Sequence, residues 1–220
     1  MKKIISLFIS SLVLYVSSAN ATNIVNGSFE TGNFTGWTAQ DLSDPFFAQQ
    51  VAGSGVSTGF FSSSPTDGTF AAVNGFDGDG PGTISLSQDI FVTDNTFIDF
   101  DYRAAWDLST FFTDPEARLF DVNINTAGGG ANLASFNILT AESETIMLDT
   151  GDLFGSVDLS AFAGQFVELS FDWYVPQIFT GPAFFQLDNV RARAAPEPSS
   201  LAILSLGLAG LGLSRRRKTA

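Results

Sequence analysis

The chain has 220 residues and a formal net charge of −13, and it contains neither cysteine nor histidine. This composition excludes disulfide bonds, histidine-ligated zinc and the Ser-His-Asp and Cys-His nucleophile systems, which leaves carboxylates as the main candidates for acid–base chemistry. The excess of acidic residues also makes nucleic acid a poor partner.

The first 21 residues have the pattern of an export signal. Two lysines precede an apolar run over residues 4–16, and Ala19-Asn20-Ala21 then has the small-residue spacing that signal peptidase cleaves. An uncleaved membrane helix is the alternative, but the run is shorter than the ~20 residues that cross a bilayer. We therefore expect cleavage after Ala21 and export of the protein.

Residues 22–195 have a length that suits one domain with a sizeable core. Apolar and polar residues alternate in several runs, as they do in half-buried β-strands. The clearest runs are TISLSQDIFV, TFIDFDYRAAW, EARLFDVNIN and FVELSFDWY. Clusters of Gly, Asn, Asp and Pro separate them, and only DLSAFAGQ suggests a short helical turn. We predict an all-β fold, and many short strands between turns indicate a β-sandwich.

Three segments of this domain resemble jelly-roll domains related to the carbohydrate-binding modules of bacterial glycoside hydrolases. NIVNGSFETGNFTGW at residues 23–37 looks like the first strand, and AFFQLDNVRAR at 183–193 looks like the last. DLSAFAGQFVELSFDW is similar to the turn that leads into the penultimate core strand. The resemblance implies a jelly-roll β-sandwich and raises polysaccharide as a partner.

In such modules a calcium ion usually holds the two chain ends together through the Glu of the first motif and the Asp of the last, which correspond here to Glu30 and Asp188. The resemblance therefore implies a structural Ca²⁺ site at these two residues, and calcium prefers six to eight oxygen ligands. The apolar alternation breaks after Leu187, so we predict a β-bulge near Asp188 that re-aims its carboxylate. The alternative is that both residues are ordinary exposed acids.

Sugar binding requires exposed aromatic faces beside polar groups. We place Trp37, Trp106 and Trp173 in the core, the last two because they share the parity of their apolar neighbours. Tyr174 is out of phase with the apolar set of its strand. It is therefore the candidate glycan contact, and the alternative is that it caps the edge of the sandwich.

Glu168 and Asp172 are the candidate carboxylate pair for a glycoside hydrolase or lyase. They lie on one face of a single predicted strand, where charged residues are usually solvated. We therefore expect no catalytic residues.

The C-terminal tail at 196–220 has three parts in a fixed order. It begins with Pro196-Glu197-Pro198, where two prolines disfavour helix and leave an extended peptide. A segment of apolar and small residues follows at 199–214. Four cations then complete the basic end: Arg215, Arg216, Arg217 and Lys218. Their charge predicts that the extreme C-terminus stays in the cytoplasm.

This tail resembles the PEP-CTERM sorting tail of exported bacterial proteins. The resemblance implies a precursor held in the inner membrane and recognised by an exosortase. That enzyme is a membrane protease-transpeptidase, thought to cut near the motif and release the protein to the cell surface or its polysaccharide matrix. A plain C-terminal anchor is the alternative.

Three functions remain open at this stage. The first is a non-catalytic surface or matrix protein that acts in adhesion or structure. The second is a calcium-stabilised carbohydrate-binding module with a specific glycan ligand, and the third is a carboxylate-dependent hydrolase or lyase.

Overall fold

The computed structural model describes six ranges of the chain: residues 22–45, 47–57, 59–74, 80–110, 116–177 and 183–194. The predicted signal peptide and the predicted tail at 196–220, with its motif and basic end, lie outside these ranges. No helix within these ranges is long and apolar enough to span a membrane.

Regular structure in the described residues consists of strands and one 3₁₀ turn, Ser160–Phe162, which lies in the segment predicted to form a short turn. The strands are β1 (Thr38–Gln40), β2 (Gln50–Gly53), β3 (Phe70–Asn74), β4 (Gly82–Phe91), β5 (Thr96–Asp107), β6 (Arg118–Thr126), β7 (Asn132–Ala141), β8 (Ile146–Met147), β9 (Leu153–Asp158), β10 (Phe166–Val175) and β11 (Ala183–Ala194).

The strands form two antiparallel sheets, which confirms the predicted all-β fold. The five-stranded sheet has the order β1-β4-β10-β6-β7. The six-stranded sheet has the order β2-β3-β11-β5-β8, and β9 also pairs with β5. The chain crosses from one sheet to the other at most connections between successive strands.

Apolar alternation places the core between the sheets. Along β10 the side chains of Val167, Leu169, Phe171 and Trp173 are buried, whereas Tyr174 is exposed. Phe171 and Trp173 belong to an aromatic cluster that includes rings from both sheets. Its tightest contact is a ring-centroid distance of 3.8 Å between Phe120 and Phe185. All three tryptophans are buried, as predicted.

The expected first strand at 23–37 is wrong, because this segment forms a series of turns and β1 begins only at Thr38. Two residues other than glycine, Asn26 and Phe29, have positive φ angles of 52° and 56°, which an extended strand does not contain. The segment nevertheless lies against β11, since the Val190 amide donates to the Gly27 carbonyl at 2.9 Å. A β-carbon on Gly27 would stand 1.9 Å from the Val190 carbonyl oxygen, so only glycine fits there.

The predicted bulge in the last strand is confirmed. Pairing of β11 with β5 changes register between Asp188 and Arg191. Asn189, inside the irregular stretch, has a φ of 52°. Asp188 precedes the shift and has the parity of Gln186, so its side chain points away from the core, toward the loop that precedes β3. The bulge changes the phase of the strand after Asp188, so that Val190 is buried in the core.

Candidate functional site

The outer face of the five-stranded sheet carries mostly polar side chains. Because side chains alternate along a strand, every second residue of β4, β6 and β10 points to this side. We call this surface the polar face, and the following residues define it: Thr38, Gln40, Thr83, Ser85, Ser87, Asp89, Asp121, Asn123, Asn125, Glu168, Ser170 and Asp172. Most of them line a groove of about 560 Å³.

Strand register arranges these residues in rows across the groove, with β10 at the centre. Glu168 lies between Asp89 on β4 and Asn125 on β6. In the same way, Ser170 lies between Ser87 and Asn123, and Asp172 lies between Ser85 and Asp121. Each row therefore combines a central hydroxyl or carboxylate with flanking hydroxyl, amide or carboxylate groups.

Hydrogen bonds hold the two central carboxylates in place. Glu168 accepts from Asn125 Nδ2 at 3.0 Å and from the hydroxyl of Ser87 at 3.3 Å. Asp172 accepts from Asn123 Nδ2 at 2.6 Å and from the hydroxyl of Ser170. Burial raises the pKa of Asp172, and the nearby negative charge of Glu168 acts in the same direction.

The polar face contains no basic side chain. Between the predicted signal peptide and tail the sequence has four arginines and no lysine. Arg103 and Arg191 lie on strands of the six-stranded sheet, as does Arg193, which donates to Asp99 at 2.8 Å. Arg118 is fully buried on β6. The acids of the polar face therefore give the groove a negative potential.

Exposed aromatic side chains lie at both ends of the polar face. Tyr174, the predicted glycan contact, is 42% exposed and pairs with Thr83 at one end. At the other end Phe91 and Phe166 form a cross-strand pair, with ring centroids 5.0 Å apart. Eight residues of β10 separate Phe166 from Tyr174, or about 26 Å at the usual strand rise.

Sequence reasoning identified Tyr174 but missed the phenylalanine pair. The available signal was parity, because Phe166 is out of phase with Val167 and in phase with Glu168. Phe166 is 69% exposed, which makes it the most exposed of the large apolar side chains in the described residues.

The predicted metal ligands, Glu30 and Asp188, lie on either side of the turn formed by residues 66–70, which we call the 66–70 loop. Asp188 is fully buried, and its Oδ2 accepts from the backbone amides of Thr66 and Asp67 at 2.7 and 3.0 Å. Its Oδ1 accepts from the Asn189 amide at 2.6 Å. Burial raises the pKa of Asp188 to about 6, although these hydrogen bonds oppose the shift.

Glu30 binds the other half of the 66–70 loop. Its Oε1 accepts from the amides of Thr69 and Phe70 at 2.7 and 2.8 Å. Gly68 lies between the two halves with a φ of +78°, and a β-carbon there would stand 2.3 Å from the Glu30 carboxyl carbon. The two carboxylates therefore satisfy four backbone amides of one loop, which a glycine allows to approach closely.

This geometry fits calcium only in part. A Ca²⁺ ion would find two carboxylates at one loop, but both already accept from N–H donors. Asp67, the nearest further acid of this loop, accepts from the Ser28 hydroxyl at 2.7 Å. No group of three or more acidic side chains in the described ranges is placed to share a metal ion. Calcium bound here would take most of its ligands from backbone carbonyls and water.

Comparison with known proteins begins with the tail. Residues 194–218 match the PEP-CTERM protein-sorting motif, which confirms the resemblance seen in the sequence. A motif of this kind indicates an exported protein directed to the cell surface. The chain has no match among curated protein sequences.

Several solved structures are similar to this chain at low sequence identity. The K1 cleaved adhesin domain of Lys-gingipain from Porphyromonas gingivalis W83 is 14% identical, with a TM-score of 0.48, 80% of this chain covered and 98% of that one. A carbohydrate-binding module, CBM28, specific for non-crystalline cellulose, is 12% identical, with a TM-score of 0.47 and coverages of 78% and 94%. The enzymatically active domain of bacteriophage CBA120 tailspike protein 4 is 14% identical, with a TM-score of 0.44 and coverages of 77% and only 21%. Similarity at this level says nothing about ligand or activity.

Proposed function

We propose that this protein is an exported, non-catalytic surface or extracellular-matrix protein that attaches to polysaccharide through its polar face. The observation that carries the proposal is the groove itself, an open surface of hydroxyl, amide and carboxylate groups with exposed aromatic rings at both ends. Sugar rings offer hydroxyls at their edges and apolar C–H groups on their faces, which suit these two kinds of side chain. Adhesion or matrix structure is the role that follows.

The strand order supports a jelly roll. Strands β3, β11, β5 and β9 neighbour one another in one sheet, and β4, β10, β6 and β7 do so in the other. Two interlocked Greek keys produce this arrangement of eight strands. We take residues 22–195 as this domain, with the signal peptide before it and the sorting tail after it.

The tail determines delivery in this proposal. The apolar segment at 199–214 holds the precursor in the inner membrane, and an exosortase recognises Pro196-Glu197-Pro198 and releases the domain. The motif match at 194–218 supports this route.

The charge of the groove restricts the glycan. Asp89, Asp121, Glu168 and Asp172 face the ligand without a basic neighbour on the polar face. Uronic or sulfated polysaccharides would meet repulsion there, so we expect an uncharged or amino-sugar polymer.

The non-catalytic assignment is supported by the arrangement of the carboxylates. Glu168 and Asp172 are four residues apart on one strand, so their Cα atoms lie about 13 Å apart. Each carboxylate also accepts from two neighbouring side chains, which favours a positioning role. Asp89 lies beside Glu168 and Asp121 beside Asp172, but as neighbours on one sheet face these acids do not flank a sugar from two sides, as glycosidase pairs do.

A structural calcium ion at Glu30 and Asp188 is a further part of the proposal. Its support is the burial of the Asp188 carboxylate, whose hydrogen-bond partners in the described residues are all neutral. A bound cation would offset the energy of burying that charge.

Binding of the purified protein to a panel of insoluble and soluble polysaccharides tests the groove. We expect Tyr174→Ala to weaken binding about fivefold, since a sugar–aromatic contact contributes on the order of 1 kcal/mol. Asp172→Asn should also weaken it, because the substitution removes the charge and replaces one of the two acceptor oxygens, which Asn123 and Ser170 contact, with an NH₂ donor. Phe154→Ala is the matched control, since Phe154 is 58% exposed but lies on β9 of the other sheet. Equal binding by all variants would contradict the proposal.

A further inference from the structure

The sandwich has one end from which the chain leaves toward its tail. Ala194, the last residue of β11, pairs with Thr96, the first residue of β5. Only residues 195–198 stand between Ala194 and the apolar segment proposed to enter the membrane. A fully extended connection of this length spans at most about 18 Å. This inference rests on the proposed sorting tail, which would hold this end of the domain close to the bilayer.

Phe91 and Phe166 lie at the same end. Phe91 is the last residue of β4, and only four residues lie between it and β5. The Val92 amide donates to the Gln165 carbonyl at 3.0 Å. The Leu159 amide donates to the Thr96 carbonyl at 2.9 Å, which ties the segment before β10 to the start of β5. The rim of the polar face that carries the two phenylalanines is therefore the rim nearest the tail.

Three apolar side chains on this rim form a continuous exposed surface, which we call the end patch. Phe166 is 69% exposed, Val25 45% and Phe91 42%. Val25 and Phe91 line one shallow depression, and the ring of Phe91 contacts that of Phe166. Exposed apolar surface of this kind raises the free energy of the domain in water unless something covers it.

We propose that the end patch rests on the bilayer surface while the precursor is anchored by its tail. Aromatic side chains favour the interface between headgroups and acyl chains. The short connection also makes the contact intramolecular, so a patch too small to bind a free membrane is still effective when tethered. The contact requires the domain to lean toward this rim, and it ends when the tail is removed.

The contact depends on apolar insertion and not on charge. Asp94 is exposed in the turn that follows β4, and Asp89 lies beside Phe91 on the polar face. These acids repel anionic lipids, so the contact should be insensitive to salt and at least as strong on zwitterionic membranes.

The experiment uses the full-length precursor reconstituted into phosphatidylcholine–phosphatidylethanolamine vesicles. Phe166→Trp places a fluorescent reporter in the end patch, and Phe154→Trp is the control at an exposed site on the six-stranded sheet. The three native tryptophans are buried, and their signal is subtracted with the unsubstituted protein. Brominated lipids then report contact with the acyl chains.

We expect the added fluorescence of Phe166→Trp to fall by about half in brominated vesicles, because interfacial side chains insert about 5–10 Å. The Phe154→Trp signal should be unchanged, and 0.5 M salt, which shortens the Debye length to about 4–5 Å, should not reduce the quenching. Adding Phe91→Ser to Phe166→Trp should reduce the quenching.

Vesicle flotation separates the two ideas on which the result depends. If the protein floats but Phe166→Trp is quenched no more than Phe154→Trp, the end-patch contact is overturned and the anchoring tail stands. If the protein does not float, both are overturned. If polysaccharide, and not lipid, changes the fluorescence of Phe166→Trp, the end patch belongs to the glycan groove and the proposed membrane contact is likewise overturned.

Discussion

The stability of the domain without calcium should increase when the pH is lowered from 7 to 5, and Asp188 should be the main cause. Burial raises the pKa of this carboxyl to about 6 in the folded protein, whereas the unfolded chain has the ordinary value of 3.8. The folded state therefore binds the proton more tightly than the unfolded state. Stability rises as the pH falls through 6 and levels off below 3.8, which is the reverse of a salt-bridged acid.

The size of the effect follows from these two pKa values. Between pH 7 and pH 5 the linkage relation gives a gain of about 1.3 kcal/mol, out of about 3 kcal/mol for the full shift. Acids with lowered pKa values, such as Asp149 beside Arg103, lose their stabilising effect mainly below about pH 5 and contribute little between pH 7 and pH 5. Asp172, whose pKa burial raises, adds a contribution of the same sign.

Urea unfolding at both pH values, in the presence of a chelator, measures the gain. The comparison that isolates Asp188 is wild type against Asp188→Asn, since asparagine does not titrate. The wild type should gain about 1.3 kcal/mol more than the variant on going from pH 7 to pH 5. An identical pH dependence in both proteins would show that Asp188 does not titrate in this range and refute the reasoning.

Calcium bound as proposed should reverse this pH dependence of stability. A cation beside Asp188 favours the ionised carboxylate, so saturating Ca²⁺ at pH 7 should stabilise the domain by about 2.7 kcal/mol at a hundredfold excess over Kd. Chelation should then lower Tm by several degrees, and Glu30→Gln and Asp188→Asn should each abolish the response. Melting that is indifferent to chelator would leave the two acids as clamps of the 66–70 loop.

Three further predictions concern processing, catalysis and packing. Mass spectrometry of the surface form should find no signal peptide and no residues after about Pro198, and Glu197→Gln should cause the precursor to accumulate; an intact basic end on the surface form would favour a plain anchor. A panel of polysaccharides and esters should show no turnover, whereas activity that disappears in Glu168→Gln would contradict the non-catalytic assignment. Gly27→Ala should destabilise the domain by more than about 2 kcal/mol in urea unfolding, because its β-carbon meets a backbone oxygen; Gly128→Ala, with open space around it, should cost only the strain of its positive φ, about 1 kcal/mol.

Alternation was sufficient to predict the long strands, because each has one side against the core and the other toward solvent. The resemblance to a jelly-roll first strand failed at residues 23–37, where the chain forms turns instead. Gly27 packs on Val190, and the side-chain amide of Asn26 donates to the carbonyls of Asn33 and Thr35. The turns of this segment depend both on these local bonds of Asn26 and on the packing of Gly27 against β11, which lies far along the chain.

The two candidate metal ligands show a different limit of prediction from sequence. A resemblance between short motifs predicted Glu30 and Asp188 as ligands of one metal ion, and the structure places them at the two halves of one loop. The resemblance did not reveal their partners, which are backbone amides of the 66–70 loop. Backbone donors have no signature in side-chain pattern, so a carboxylate that binds a loop and one that binds a metal ion look the same in sequence.

Predicting the polar face requires the pairing register of neighbouring strands, which cannot be read from the sequence of any one strand. Parity alone places Glu168 and Tyr174 on the outer side of β10, and the same argument applies to Asp89 on β4. Only the pairing of β4 with β10 brings Phe91 opposite Phe166 and thereby puts an aromatic pair on the rim nearest the tail. A one-residue slip would turn Phe166 toward the core and Val167 toward solvent. The buried set of Val167, Leu169, Phe171 and Trp173 opposes that slip, so the packing of the core also determines which side chains the groove and the end patch present.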